Sequence, residues 1–200
     1  MSAELISQLE TAAAVAGRYT DAAKAAVRPL VSKDGKIDRV ALDREQHVVH
    51  GLAWVATYAE TLREVSAWVR ALNEAGKFAE TEQLLAKVLV AEYAAQLAGG
   101  VPMTQVEIIR PADFGIEAPA VTIHVTQTDK TRLAALLHES QGRATFENTN
   151  LDSDFEMIRD QFRSFADDKI VPYAHGWHCN DELIPIEIVE EMGVLGVFGL

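Results

Sequence analysis

Between residues 42 and 72 the apolar side chains Leu42, Val49, Leu52, Val55, Leu62, Val65, Trp68 and Leu72 return at steps that gather them on one side of an α-helix. A stripe this long directs the chain to an all-α fold. Asp38 stands where a side chain caps free amides and Gly76 where a helix ends, so one helix of more than thirty residues is predicted between them. Leu5, Leu9, Ala12, Ala13, Ala16, Ala23, Val27 and Leu30 repeat the same way before it. Pro29 and the Lys33-Asp-Gly-Lys36 turn set that first helix at residues 2–28. A third helix is predicted over 81–97, with Leu84, Leu85, Val88 and Ala95 inward and Gly99 and Gly100 supplying a left-handed C-cap. Three long helices joined by short turns make an antiparallel bundle.

From 101 to 127 the helical period is lost, with Pro102, Pro111, Gly115 and Pro119 as breakers. The β-branched run Val121-Thr-Ile-His-Val125 predicts one short strand inside this irregular excursion. A fourth helix starting at Asp129 or Thr131 and reaching Gly142 carries Leu133, Leu136 and Leu137, and is positioned to complete a four-helix bundle.

The Asn-rich stretch 146–151 reads as a linker between domains at 1–146 and 152–200. Charge changes there too: residues 147–200 hold 12 acids and 3 bases, leaving 18 acids and 15 bases in 1–146. Ser153-Asp-Phe-Glu156 has the form of a capping box, and Phe155, Ile158, Phe162 and Phe165 line one face of a helix over 154–170 that stops before Pro172. After a loop, Pro185 opens a short helix with Ile186, Val189 and Met192, ended by Gly193. Five of residues 193–200 are Val, Leu or Phe and three are glycine, a run suited to packing on a core. The expectation is that the chain is the N-terminal part of a longer polypeptide.

At 48% hydrophobic and 24% charged residues, the 200-residue chain has the composition of a soluble globular protein, which excludes disordered and collagen-like classes. Its single cysteine, Cys179, excludes a disulfide framework, and a net charge of −12 repels nucleic-acid phosphates and anionic lipid. Glu4, Gln8, Glu10 and Arg18 interrupt any secretory or mitochondrial leader, and no window is apolar enough to span a membrane. A cytoplasmic location is expected.

Side chains with chemical potential are few. His175, His178 and Cys179 offer three metal ligands within five residues but lack the fourth that a closed zinc site needs. His47 and His50 lie three apart on one helix without the His-Glu-x-x-His pattern, and read as helix-surface residues. Gly193, Gly196 and Gly199 have the wrong spacing for a dinucleotide loop and follow a helix rather than a strand. The pairs Asp167-Asp168, Asp181-Glu182 and Glu190-Glu191 read as solvated, since adjacent helical residues point about 100° apart. Trp54 and Trp68 read as packing residues, and Cys179 as a thiol without a positioned base.

One resemblance stands out. The order Ile170-Val-Pro172-Tyr-Ala174-His-Gly-Trp177, then Pro185-Ile-Glu187-Ile-Val189-Glu-Glu-Met192-Gly193-Val-Leu195-Gly196, resembles the opening of the N-terminal helical domain of flavin-dependent acyl-CoA dehydrogenases. Before it, Ala98-Gly-Gly-Val-Pro-Met103 and Glu107-Ile-Ile-Arg-Pro111 resemble the helical extension of the methylsuccinyl-CoA dehydrogenase subgroup. For the parent protein the resemblance implies FAD, an acyl-CoA substrate, an electron acceptor, a glutamate that abstracts an α-proton, and a homo-oligomer. Positions matching that glutamate and the flavin-contacting residues fall beyond Leu200, so the resemblance assigns no catalytic, cofactor-binding or metal residue here, and this chain alone is expected to be inactive and to retain no FAD. The alternative is a non-catalytic helical module for oligomerisation or docking.

Overall fold

A computed structural model describes residues 2–121, 123–140 and 151–199. The chain divides into two units, Met1–Asn150 and Leu151–Leu200. The all-α expectation holds: two short strand pairs accompany eight helices among the described residues.

In the first unit α1 runs Ser2–Val31 and carries Pro29 inside its last turn, three residues past the predicted end. Burial of Val27 and Val31 in the core draws the helix through the proline. β1 (Ser32–Lys33) and β2 (Lys36–Ile37) then form a hairpin, with Asp34 at φ 54° and Gly35 at φ 75°. Positive φ at both central residues is what a type I′ turn demands and what Asp-Gly supplies.

The helix predicted from Asp38 to Gly76 is two. Asp38 caps α2 (Arg39–Arg44) by accepting from the Val40 and Ala41 amides, and α3 (Gln46–Glu74) follows after a break at Glu45. The break lets α2 pack Ala41 inward beside α1 before α3 sets its own course. At the far end Gly76, at φ 68°, closes α3: its amide donates to Asn73 O and that of Lys77 to Leu72 O. These are the two bonds of a Schellman motif.

α4 spans Glu80–Gly99, one or two residues wider than predicted at each end, and Gly100 leaves it at φ 136°, ψ 130°, away from the predicted left-handed cap. Arg70 near the end of α3 reaches Glu10 near the start of α1, and Tyr58 of α3 donates to Gln96 late in α4 at 2.6 Å, so neighbouring helices run antiparallel. Leu9, Ala12, Ala16 and Ala23 of α1, Val55, Leu62 and Val69 of α3, and Ala86, Val90 and Leu97 of α4 make the core. The alanines let α1 approach closely.

The predicted strand at 121–125 is not formed by its described residues. Strands lie earlier, β3 (Val101–Pro102) against β4 (Ile108–Ile109), followed by a 3-10 turn at Pro111–Phe114. A strand needs a partner ladder, and only the earlier segment folds back on itself to supply one. Val101, Met103, Ile109 and Phe114 are buried there against the helices.

α5 (Gln127–Glu139) begins before the predicted start because Thr126 and Asp129 form a capping box, Thr126 Oγ1 accepting from the Asp129 amide and Asp129 Oδ2 from that of Thr126. It packs mainly on α4 instead of closing a symmetrical four-helix bundle. The predicted end at Gly142 and most of the predicted linker lie outside the described residues.

In the second unit α6 (Ser153–Lys169) is capped by Asp152, one residue before the predicted box, because its carboxylate reaches the Asp154 and Phe155 amides. Where a loop was predicted there is α7 (Val171–Cys179), with Pro172 in its first turn, where no amide bond is lost. α8 (Ile186–Val194) starts just after Pro185 and passes through Gly193. Gly196, at φ 79°, ends it: its amide donates to Gly193 O and the Val197 amide to Met192 O.

Candidate functional site

His47 and His50 share α3 but not a site. His47 Nδ1 lies 3.2 Å from Glu107 Oε1 and Nε2 lies 3.8 Å from Asp113 Oδ2, carboxylates brought from 60 and 66 residues downstream. His50 Nε2 instead accepts from Trp54 Nε1 at 2.9 Å. Trp54 then meets Tyr58 edge-on, and Tyr58 stacks on Tyr93 with ring centroids 4.2 Å apart. Burial raises the Tyr58 pKa, with Tyr93 adding to it, and burial followed by the charge of Asp113 pushes Tyr19 up to about 12. Both phenols stay neutral. Trp54 and Trp68 pack partly buried against the core, as packing residues do.

On α7, Cys179 Sγ lies 3.6 Å from His175 Nε2. The expectation that Cys179 has no base near it therefore needs correction, since a four-residue step on a helix brings the two together. Both side chains are exposed on α7, His175 in its middle and Cys179 at its last residue. His178 does not complete a ligand set with them: no group of three or more His, Cys, Asp or Glu suited to a metal occurs among the described residues. Of the acidic pairs, Glu191 is bridged to Lys169 at 3.1 Å. Asp181 takes φ 55° at the end of α7, where the Asp181 and Glu182 amides donate to His178 O and Trp177 O. Gly196 and Gly199 (φ 81°) serve the backbone turn after α8.

A cavity of about 440 Å³ opens in the first unit between α1, α4 and the start of α5. Leu5 and Leu84 give it apolar wall, Glu80, Lys87 and Asp129 charge. Lys87 Nζ holds Asp129 Oδ2 at 2.9 Å, and the Thr126 amide, Lys87 and the Thr126 hydroxyl together lower the Asp129 pKa to about 2. Sequence reasoning missed this pair because its members are 42 residues apart; Thr126-Gln-Thr-Asp129, a capping-box pattern, was the available signal.

In the second unit the helices carry no fully buried residue, and Phe155, Ile158, Tyr173, Ile186, Val194 and Phe198 are exposed. Exposed apolar patches of this kind mark surfaces suited to packing against other groups. Residues 152–200 match the family of the acyl-CoA dehydrogenase N-terminal domain. This segment of the chain thus belongs to the acyl-CoA dehydrogenase family, as its proline and glycine pattern indicated. The similarity reaches further: over 188 residues, 90% of this chain, it is 46% identical to (2S)-methylsuccinyl-CoA dehydrogenase of Cereibacter sphaeroides. The chain spans about a third of the length of that relative, 34%.

Proposed function

We propose that the chain is part of an FAD-dependent dehydrogenase that introduces a double bond α,β to an acyl-CoA thioester, with methylsuccinyl-CoA as substrate. The supporting observation is the span of the similarity, which covers 90% of the chain and so extends well beyond residues 152–200 into the helical domain of residues 1–146. In this reading 1–146 is an appended helical domain and 152–200 opens the dehydrogenase fold. Flavin, when bound, supplies the hydride acceptor. No described cluster offers the groups that hold an isoalloxazine, and the exposed apolar faces of α6 to α8 make a scaffold surface instead, so we assign no flavin ligand to these residues. The protein works in the cytoplasm as a homo-oligomer and passes electrons to a separate acceptor.

The test is a chimera in which this chain replaces the aligned region of the Cereibacter sphaeroides relative. It is expected to bind FAD and to reduce a dye acceptor with methylsuccinyl-CoA, whereas the 200-residue chain alone loses all flavin absorbance on desalting. A folded chimera without FAD, or stoichiometric FAD on the chain alone, overturns the reading.

A further inference from the structure

Charge as well as apolar burial holds α5 to its unit. Leu133 is the one fully buried residue described in this helix, and Leu136 and Leu137 are half-buried. Three ion pairs spread from one turn of α5 onto α4. Asp129 takes Lys87 at 2.9 Å, Lys130 takes Glu92 at 2.5 Å, and the Arg132 guanidinium forks Glu80 with bonds of 2.9 and 2.7 Å. The α4 partners are distributed over about 18 Å of helix axis at 1.5 Å per residue, so a single α5 turn grips three turns and more of its neighbour. Negative, positive and negative partners on α4 meet positive, negative and positive ones on α5. All six side chains keep between 20% and 55% of their surface in solvent. Pairs so exposed are screened by salt.

Glu80, Lys87 and Asp129, three members of this network, also line the 440 Å³ cavity between α1 and α4. The grip on α5 and the closure of the cavity thus use the same side chains. A 13-residue helix is marginal in water by itself, so α5 released from α4 loses its helix as well as its place. The three-helix core of α1, α3 and α4 buries its own apolar face without α5.

We propose that α5 is an electrostatically latched strap over this cavity: weakening its ion pairs to α4 releases α5 and opens the cavity while α1, α3 and α4 stay folded. Hydrogen exchange on the whole chain, followed by mass spectrometry at about 0.05 M and about 0.5 M NaCl, reads this directly. Peptides across 127–139 are expected to exchange roughly tenfold faster at high salt, with those across 46–74 unchanged. Lys87→Met with Arg132→Met should exchange fast at both salts, and Glu80→Arg with Arg132→Glu should restore the salt dependence. Leu133→Ala should speed exchange yet keep that dependence. A thiol placed in the cavity wall by Leu84→Cys, with Cys179→Ser removing the native one, should gain reactivity over the same salt range. Salt-independent exchange of α5, or acceleration of α3 in step with it, overturns the proposal.

Discussion

Ile109 fills the space that Gly51 leaves by having no side chain. A Cβ built on Gly51 would stand 2.8 Å from Ile109 Cβ and closer still to its outer carbons, and Ile109 is 1% exposed, with nowhere to retreat. Gly51 lies inside α3, in its second turn, where glycine costs a helix about 1 kcal/mol relative to alanine. The close approach of β4 to α3 outweighs that cost. Gly51→Ala is therefore expected to destabilise the first unit by about 1–2 kcal/mol, because the overpacking penalty of about 1–3 kcal/mol exceeds the helix gain. Ile109→Ala alone should cost about 2–5 kcal/mol. The double variant should lose clearly less than the two singles together, since the new methyl enters the cavity left by the isoleucine. Urea unfolding of the four proteins checks this, and strict additivity would show that the two residues do not compete for one space.

Asp129 gives the first unit an acid-sensitive contact. Its carboxyl is held at about 2 against an ordinary 3.8, chiefly by the Thr126 amide and then by Lys87. A carboxyl whose pKa is lowered by folding contributes stability that is complete above its unfolded value and lost as pH falls through its folded one. The contribution of Asp129 should thus be full above about pH 5 and disappear toward about pH 2. Asp129→Asn should be less stable than the parent at neutral pH, with the gap closing across that window. Denaturation midpoints measured from neutral to acid pH test the sign, and a gap that widens on acidification would contradict it.

What the sequence disclosed follows the range of the forces involved. The stripes on α1, α3 and α4 were legible because helical period is local, and Asp38 and Gly76 were legible as caps because capping uses neighbours. The break at Glu45 carries no proline or glycine; it follows from how α2 packs on α1. Pro172 was read as a stop although it sits comfortably in the first turn of α7. β-propensity favoured 121–125, but pairing selected Val101 and Ile109, whose propensity is no greater. The carboxylates at His47 and the Lys87–Asp129 pair depend on contacts across 42 to 66 residues, which no local pattern records. The acyl-CoA dehydrogenase resemblance was legible because proline, glycine and apolar residues recur there in a fixed order over 152–200.

Asp181 closes α7 in a conformation that favours glycine. At φ 55° its Cβ crowds its own backbone, while the Glu182 amide still completes the bond to Trp177 O at 2.9 Å. Asp181→Gly should retain the cap and relieve the strain, stabilising the α7 terminus by about 1 kcal/mol, whereas Asp181→Val should destabilise it. Amide exchange at Glu182 reports the change: slower in the glycine variant, faster in the valine one. Equal exchange in both variants would mean that the left-handed residue carries no strain.

The apolar surface of the second unit predicts a measurable stickiness. Phe155 is 57% exposed, Val194 89% and Phe198 64%, and covering one such side chain is worth about 1.5–3 kcal/mol. Side chains of this size left in water bind hydrophobic dyes and promote association. Phe155→Ser combined with Phe198→Ser should lower dye fluorescence and shift sedimentation toward the monomer. Helicity should hold, because neither residue is buried and the Asp152 cap and the Gly196 closure remain in place. A parent chain that is monomeric and dye-silent at high concentration, or a variant that loses helicity, would show that these faces are already covered within the chain and that residues 151–200 complete a domain of their own.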